Sequence, residues 1–281
     1  MRASQGIGHE FAVRRKSYPK VMKILVANDD GIDSPGIREL AKALKELGDV
    51  WVVAPERPQN AVGRAMTLHK PLRINRVGRQ MFSVNGTPGD CITLGVEQVL
   101  KGQPPDLVVS GINKGLNVGD DVTNSGTVAA AMEASIRGIP SMAVSLDGTE
   151  CYRFRMAAII TVSIAKIVAS QGLPDDTLLN VNVPDVALDS IAGVKWTTLS
   201  RRRYRNPVVE KVDPRGGKYY WIAGEQVSWN RSKHSDVEAV AKLFVSLTPL
   251  HFDMTQYAAL PKLKAWERTL NTRLRKLCGE P

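Results

Sequence analysis

The stretch ILVANDDGIDSPG, residues 24–36, decides how the rest of the chain is read. It opens on an apolar run, Ile24 to Ala27, and passes directly into Asn28, Asp29, Asp30 and Gly31. A short apolar run bounded by turn residues is the pattern of a buried strand. The chain then turns from strand to helix, because Ser34 is a capping residue type and Pro35 suits the first helical position. Ile37, Leu40, Ala41, Leu44 and Leu47 recur at helical spacing, and Gly48 stops the pattern. VWVVAP (50–55) is a second buried strand. Strand, helix, strand with unbroken apolar strands predicts a parallel sheet covered on both faces.

The same unit recurs downstream. DLVVSG (106–111) reads as a strand, GTVAAAMEASIRG (126–138) as a helix closed by Gly138, and PSMAVSL (140–146) as a strand. A helix over roughly 152–170 leads to the strand LLNVNVP (178–184), and VSLTPL (245–250) is a late strand. The predicted fold class is α/β: a doubly wound, mostly parallel sheet. Residues 66–84 read as a β excursion. Residues 195–231 are basic, aromatic and rich in turn residues, which predicts a long hairpin projecting from the core. The expected organisation is a disordered N-terminal extension at 1–21, one domain over 22–253, and a basic helix or tail at 254–281. GIGHEF (6–11) contains G-x-G, but no strand precedes it, so it is no nucleotide loop.

Composition narrows the function classes. The chain has 281 residues, 43% hydrophobic, enough for one large domain or one domain with an appendage. No uninterrupted apolar run reaches the ~18 residues needed to span a bilayer, and no apolar segment comes after Arg14, Arg15 and Lys16 as in a secretory signal. Cys91, Cys151 and Cys278 have no metal-ligand spacing, which suits a reduced, cytoplasmic protein. The net charge is +10, with nine basic and three acidic residues in 195–231 alone. Such an excess suits an anionic substrate or a solvated face as well as nucleic acid. No nucleic-acid-binding motif accompanies it, so neither nucleic acid nor membrane is an expected partner.

Open parallel sheets bind ligands beyond the carboxyl ends of their strands, and the polar stretches here come after strands in that way. They carry Asp29 and Asp30, then Asn60 in PERPQNAVG, Asn113 in GINKGLNVGDD, and Ser125, Gly126 and Thr127 in TNSGTVAAA. Adjacent carboxylates repel, and the repulsion tends to raise a pKa. A cation between them relieves it; the plainer reading is a turn in which Asn, Asp and Gly serve the backbone. A helix start with unpaired N–H groups and two hydroxyls suits a phosphate, or is an ordinary cap. Oxygen-only donors favour Mg²⁺ or Mn²⁺ over Zn²⁺. A hard cation beside an anion-binding helix start points to phosphoryl transfer or phosphate hydrolysis. Other phosphatase types fit less well. The two acids are adjacent rather than spaced Asp-x-Asp, and G-x-x-x-x-G-K-[ST] is absent. His9, His69, His234 and His251 lie outside these four loops, and His69 reads as a strand-surface residue.

ILVANDDGIDSPGI, VVAPERPQNAVG, NGTPGDC, LVVSGINKGLNVGDDVTNSGTVAAAMEA and GIPSMAVS together resemble the stationary-phase survival nucleotidases, SurE. The resemblance runs from Met22 to about Pro249. It implies a metal-dependent phosphatase acting on nucleoside 5′- and 3′-monophosphates, with one divalent ion, Mg²⁺ or Mn²⁺, per subunit. It also implies a Rossmann-like core and a homodimer or homotetramer built partly by exchanged C-terminal elements and hairpins. Carried over by motif, Asp29 and Asp30 are the catalytic carboxylates and bind the metal with Asn113, while Asn113, Ser125, Gly126 and Thr127 hold the phosphate. The family usually has R-S-x-x-G after the second strand, its Ser being a metal ligand; this chain has Asn60 in QNAVG at that place. An amide oxygen still coordinates a hard cation, at longer reach.

Two mechanisms stay open: Asp29 orients or deprotonates an attacking water, or attacks phosphorus itself. Two other function classes also stand beside the nucleotidase. One is a non-catalytic nucleotide sensor on the same fold. The other is an oligomeric nucleic-acid-associated protein that uses the basic hairpin. Because a two-stranded ribbon alone is marginally stable, Tyr204, Tyr219, Tyr220 and Trp221 are expected to pack against another subunit.

Overall fold

The computed structural model describes residues 21–148, 151–205, 208–222, 226–230 and 232–278. The expected N-terminal extension, with its G-x-G and His9, lies outside the described residues except for Val21. β1 (Met22–Ala27), α1 (Pro35–Leu44) and β2 (Gly48–Pro55) form the first unit. A hairpin of β3 (Ile74–Gly78) and β4 (Met81–Val84) comes next, then α2 (Pro88–Leu94). β5 (Leu107–Lys114), α3 (Gly126–Ile136), β6 (Ser141–Asp147), α4 (Phe154–Gln171) and β7 (Leu178–Pro184) continue the alternation. β8 (Gly193–Trp196) precedes the ribbon strands β9 (Arg201–Arg205), β10 (Val209–Val212), β11 (Lys218–Trp221) and β12 (Gln226–Asn230). α5 (Asp236–Ala241) and β13 (Phe244–Leu250) close the domain.

The main sheet has the order β3-β4-β2-β1-β5-β6-β7-β13-β8. Strands β4, β2, β1, β5, β6 and β7 are mutually parallel; β3 and β13 run antiparallel to their neighbours β4 and β7. Apolar strands buried on both faces need helices on both sides. α1 and α4 supply one face through Ile37, Leu40, Leu44, Met156, Val162 and Ala165. α2 and α3 supply the other through Cys91, Ile92, Ala130 and Ala134. The sheet is therefore mostly parallel and doubly wound. From β1 the chain moves outward to β2 on one side, while β5 pairs on the other, so the topological switch lies between β1 and β5.

Several expectations need correction. α1 stops at Leu44, and Gly48 begins β2 instead of capping the helix. Pro35 takes the first helical turn as expected, but the Ser34 side chain makes no cap bond, and its buried Oγ has no partner among the described residues. In the 66–84 excursion only 74–84 is a β-hairpin; residues 56–73 are irregular, and His69 is exposed in that loop, not on a strand. α4 is 18 residues long with mean hydropathy 1.3, long and apolar enough to cross a bilayer by length and composition. Arg155 and Lys166 interrupt its apolar run in the sequence. Half of it is buried, with Ala157, Val162 and Ala165 in the core, as in the core helix of a globular domain.

The ribbon is shorter than 195–231, because Lys195 and Trp196 belong to β8. β9 pairs with β12 and β10 with β11, both antiparallel, and the turn is built on Asp213, whose Oδ1 accepts from Arg215 N and Gly217 N. Tyr219, Tyr220 and Trp221 are exposed in the single chain. The side chain of Tyr204 lies outside the described residues. A second compact unit begins at Phe252 and contains α6 (Leu260–Lys264) and α7 (Glu267–Leu277).

Candidate active site at the sheet switch point

β1 ends against the first turn of α3. Asp29 is buried, and its Oδ1 accepts a 2.5 Å hydrogen bond from the Thr127 hydroxyl, across 98 residues of sequence. Thr127 is fully buried. Ser125 is the N-cap of α3, its Oγ accepting from Val128 N at 3.1 Å. Gly126 is required by the closeness of the two elements. A Cβ there would lie 2.7 Å from Asp29 Cβ and 3.1 Å from Asp29 Oδ2. The cap and the phosphate-site readings of Ser125–Thr127 thus describe the same turn, and Asp29 is placed directly against it.

Asp30 is half-buried, and its Oδ2 accepts from Lys114 N at 3.3 Å, which ties it to the end of β5. β5 carries one extra residue relative to β6 between Ser110 and Asn113. Such bulges re-aim side chains. Gly111 sits in this bulge at φ +138, and a Cβ there would lie 2.4 Å from Val144 O. Beyond it, Asn113 Nδ2 donates to Gly115 O at 2.9 Å, and its Oδ1 accepts no hydrogen bond among the described residues.

Both carboxyls are pushed above the ordinary 3.8. For Asp29 burial is the main cause, the Thr127 hydroxyl opposes it, and the charge of Asp30 adds a smaller upward push. For Asp30 burial again leads, opposed by the backbone N–H and the charge of Lys114. Like-charge repulsion, the cause expected from sequence, is therefore secondary to desolvation.

Asn60 is exposed, and its side chain makes no hydrogen bond to the described residues. Its neighbour does reach the site: Gln59 N donates to Asp29 O at 2.7 Å. The structure ties Asp29 to Thr127 and to the Gln59 backbone, sets Gly126 against Asp29, and ties Asp30 to the end of β5 that carries Asn113; Asn60 follows Gln59 in the same loop with its side chain exposed.

The donor set fits a hard divalent cation. Among the described residues no group of three or more His, Cys, Asp or Glu could hold a metal. Beside the two carboxylates, Asn113 and Thr127 offer neutral oxygens, a donor type that Mg²⁺ and Mn²⁺ accept.

Sequence reasoning missed the polar packing beneath the site. Asn117 N donates to Asn182 Oδ1 at 2.9 Å, Asn117 Nδ2 donates to Ser145 Oγ, and the Asn180 and Asn182 side-chain amides both donate to Asn117 O. These bonds fix the loop between β5 and α3. Two Asn on one face of an otherwise apolar strand, LLNVNVP, were the available signal.

Comparison with known proteins puts this geometry in a family. The profile of the family described as Survival protein SurE matches residues 24–206. The 5′-nucleotidase SurE of Geotalea uraniireducens is 50% identical over 252 residues, covering 88% of this chain and 100% of that protein. The 5′-nucleotidase SurE of Geotalea daltonii is 51% identical over 247 residues, covering 88% of this chain and 99% of that protein. These alignments are longer than the Met22–Pro249 span of the motif resemblance, so the similarity extends beyond it. The crystal structure of the SurE protein from Aquifex aeolicus superposes with a TM-score of 0.80 at 44% identity, covering 87% of this chain and 99% of that one. With the switch-point carboxylates, the helix start they face and near-complete alignment to these relatives all in agreement, the chain belongs to the SurE survival-protein family.

Proposed function

We propose that this chain is a divalent-metal-dependent phosphatase that hydrolyses nucleoside 5′-monophosphates, and 3′-monophosphates, to nucleoside and phosphate. Near-full-length similarity to proteins named 5′-nucleotidase supports the reaction class. The observation that carries the reading is the Asp29–Thr127 contact, which sets a buried carboxylate against a helix start suited to phosphate.

In this reading Gly126 and Thr127 receive the phosphate through backbone N–H groups and Ser125 through its hydroxyl, and Asn113, near the end of β5, is a further donor to it. Asp29, Asp30, Asn113 and Asn60 are the residues that would hold one Mg²⁺ or Mn²⁺, which supplies Lewis acidity toward the phosphoryl group when bound. Thr127 fixes the orientation of Asp29, so that its carboxylate can orient the attacking water and take its proton. Direct oxygen-18 incorporation from water into phosphate, without a trapped phosphoenzyme, is the expected isotopic result. Phosphate release from AMP or GMP with Mg²⁺ or Mn²⁺, lost on EDTA treatment and regained on adding metal, tests the function. Nucleotide binding without release under every metal would replace it with a sensor.

Asn60→Ser restores the family's usual residue. Activity is expected to persist with an altered metal requirement. Overlaying titrations for both Mg²⁺ and Mn²⁺ would remove Asn60 from the ligand set.

The exposed Tyr219, Tyr220 and Trp221 support a homodimer or homotetramer in which the ribbon packs on another subunit. Replacing residues 202–229 by a short turn should lower the mass measured by light scattering. An unchanged mass would leave assembly to other elements. The three free thiols suit the cytoplasm.

A further inference from the structure

The loop that carries Asn60, residues 56–73, has no regular structure. Loops of this length inside a compact domain are uncommon and tend to be functional. This one is tied down. Gln59 N donates to Asp29 O, and Gly63 N donates to Asn124 O at 2.9 Å. A further grip comes from α2, on the same side of the sheet as α3.

The first turn of α2 is a capping box. Thr87 Oγ1 accepts from Asp90 N at 3.2 Å, and Asp90 Oδ2 accepts from Thr87 N at 2.9 Å. Those two bonds complete a capping box. Here each side chain makes a further bond, outward to the loop. The Thr87 hydroxyl donates to Ala65 O at 2.8 Å, and Asp90 Oδ1 accepts from Thr67 N at 3.1 Å. The loop backbone is thus held on either side of Met66. Asp90 is only 2% exposed. Capping alone would leave the second carboxylate oxygen and the hydroxyl proton to solvent; instead both are spent on the loop.

We propose that Thr87 and Asp90 are positioning residues for the active site. They fix Ala65 and Thr67, and through the short intervening chain they hold Gln59 and Asn60 beside Asp29. The proposal rests on the reading of Asn60 as an oxygen donor to the metal.

The test uses the full chain. Mn²⁺ affinity is measured by calorimetry, and hydrogen exchange is tracked in peptides covering 59–68. Thr87→Val and Asp90→Asn should each weaken Mn²⁺ binding about 10-fold, the scale seen when a group behind a metal ligand is lost. Exchange across 59–68 should rise in both. Thr87→Ser retains the hydroxyl and should restore both readouts. In an Asn60→Ala background, Thr87→Val should add less than about twofold, because the two residues act along one path. An equal loss in both backgrounds would overturn action through Asn60. Unchanged exchange and unchanged Mn²⁺ affinity in Thr87→Val, or in Asp90→Asn should the valine variant not fold, would overturn the clamp itself. If Asn60→Ala alone leaves Mn²⁺ affinity intact, the ligand reading fails and the proposal fails with it, while raised exchange in Thr87→Val would still show that α2 holds the loop.

Discussion

Asp29→Asn is expected to lower turnover by about 10³-fold, the scale for losing a positioned general base, and to raise the melting temperature of the metal-free protein. The second effect comes from linkage. Burial holds the Asp29 carboxyl above 3.8, so the folded metal-free chain keeps its proton at a pH where the unfolded chain has lost it. That contribution to stability is fully present below 3.8 and is lost as pH rises through the raised folded value. Asp30 is raised as well and acts in the same direction. Asn at position 29 removes one of these ionisations. Wild type and variant should therefore melt together in acid and separate as pH rises toward neutrality, the variant being the more stable. Saturating Mn²⁺ should reverse the order, because a ligand that binds only the folded state stabilises it by its affinity. Thermal melts at about pH 4 and pH 7.5, with and without Mn²⁺, give all four comparisons. Wild-type phosphatase rates in the variant at saturating metal would remove Asp29 from catalysis.

Gly126→Ala is expected to cost about 10²-fold in kcat/KM, since displacing a catalytic group by about 1 Å has effects of that size. The added methyl group would meet Asp29 Cβ at 2.7 Å, Asp29 Oδ2 at 3.1 Å and Gln59 O at 3.1 Å. α3 has little room to shift, because Ala130 and Ala134 are fully buried against the sheet and α2. The carboxylate must move, and its bond to the Thr127 hydroxyl is lost or distorted. Overpacking of this kind also destabilises by roughly 1–3 kcal/mol. Steady-state kinetics beside a circular-dichroism melt separates the two losses. A folded Gly126→Ala protein with wild-type kcat/KM would mean that Asp29 tolerates displacement, contrary to its assigned role.

The central fold was legible because its strands are continuous apolar runs and its loops fall at strand ends. β1, β5, β6 and β7 lie within a residue or a few of their expected bounds. Short elements were not legible. α2 has seven residues and α5 six, too few for a hydrophobic period to emerge. Thr87-Pro88-Gly89-Asp90 nonetheless carries the capping-box spacing that marks a helix start. Ser34 shows the converse: the right residue type before Pro35, yet no cap bond. At the site, sequence nominated Asp29 and Thr127 separately, one for metal and one for phosphate. That they bond to each other depends on the packing of β1 against α3, which no local pattern encodes. The Asn117–Asn182 contact is hidden for the same reason, since it depends on how a loop settles over a strand 65 positions later.

The position of β1 between β2 and β5 has a consequence for synthesis. The β2 side is satisfied by chain made soon afterwards, Met22 facing Gly48. The β5 side waits much longer: Lys23 N finds Asp106 across 83 residues. At roughly 5–20 residues per second on the ribosome, the central strand spends on the order of ten seconds with one bare edge. Ile24, Leu25 and Val26, all fully buried in the finished protein, lie along that edge. An open apolar edge is a template for pairing with another chain. A nascent chain halted before Leu107 would thus expose this apolar edge, and a holdase chaperone would find a binding site along it.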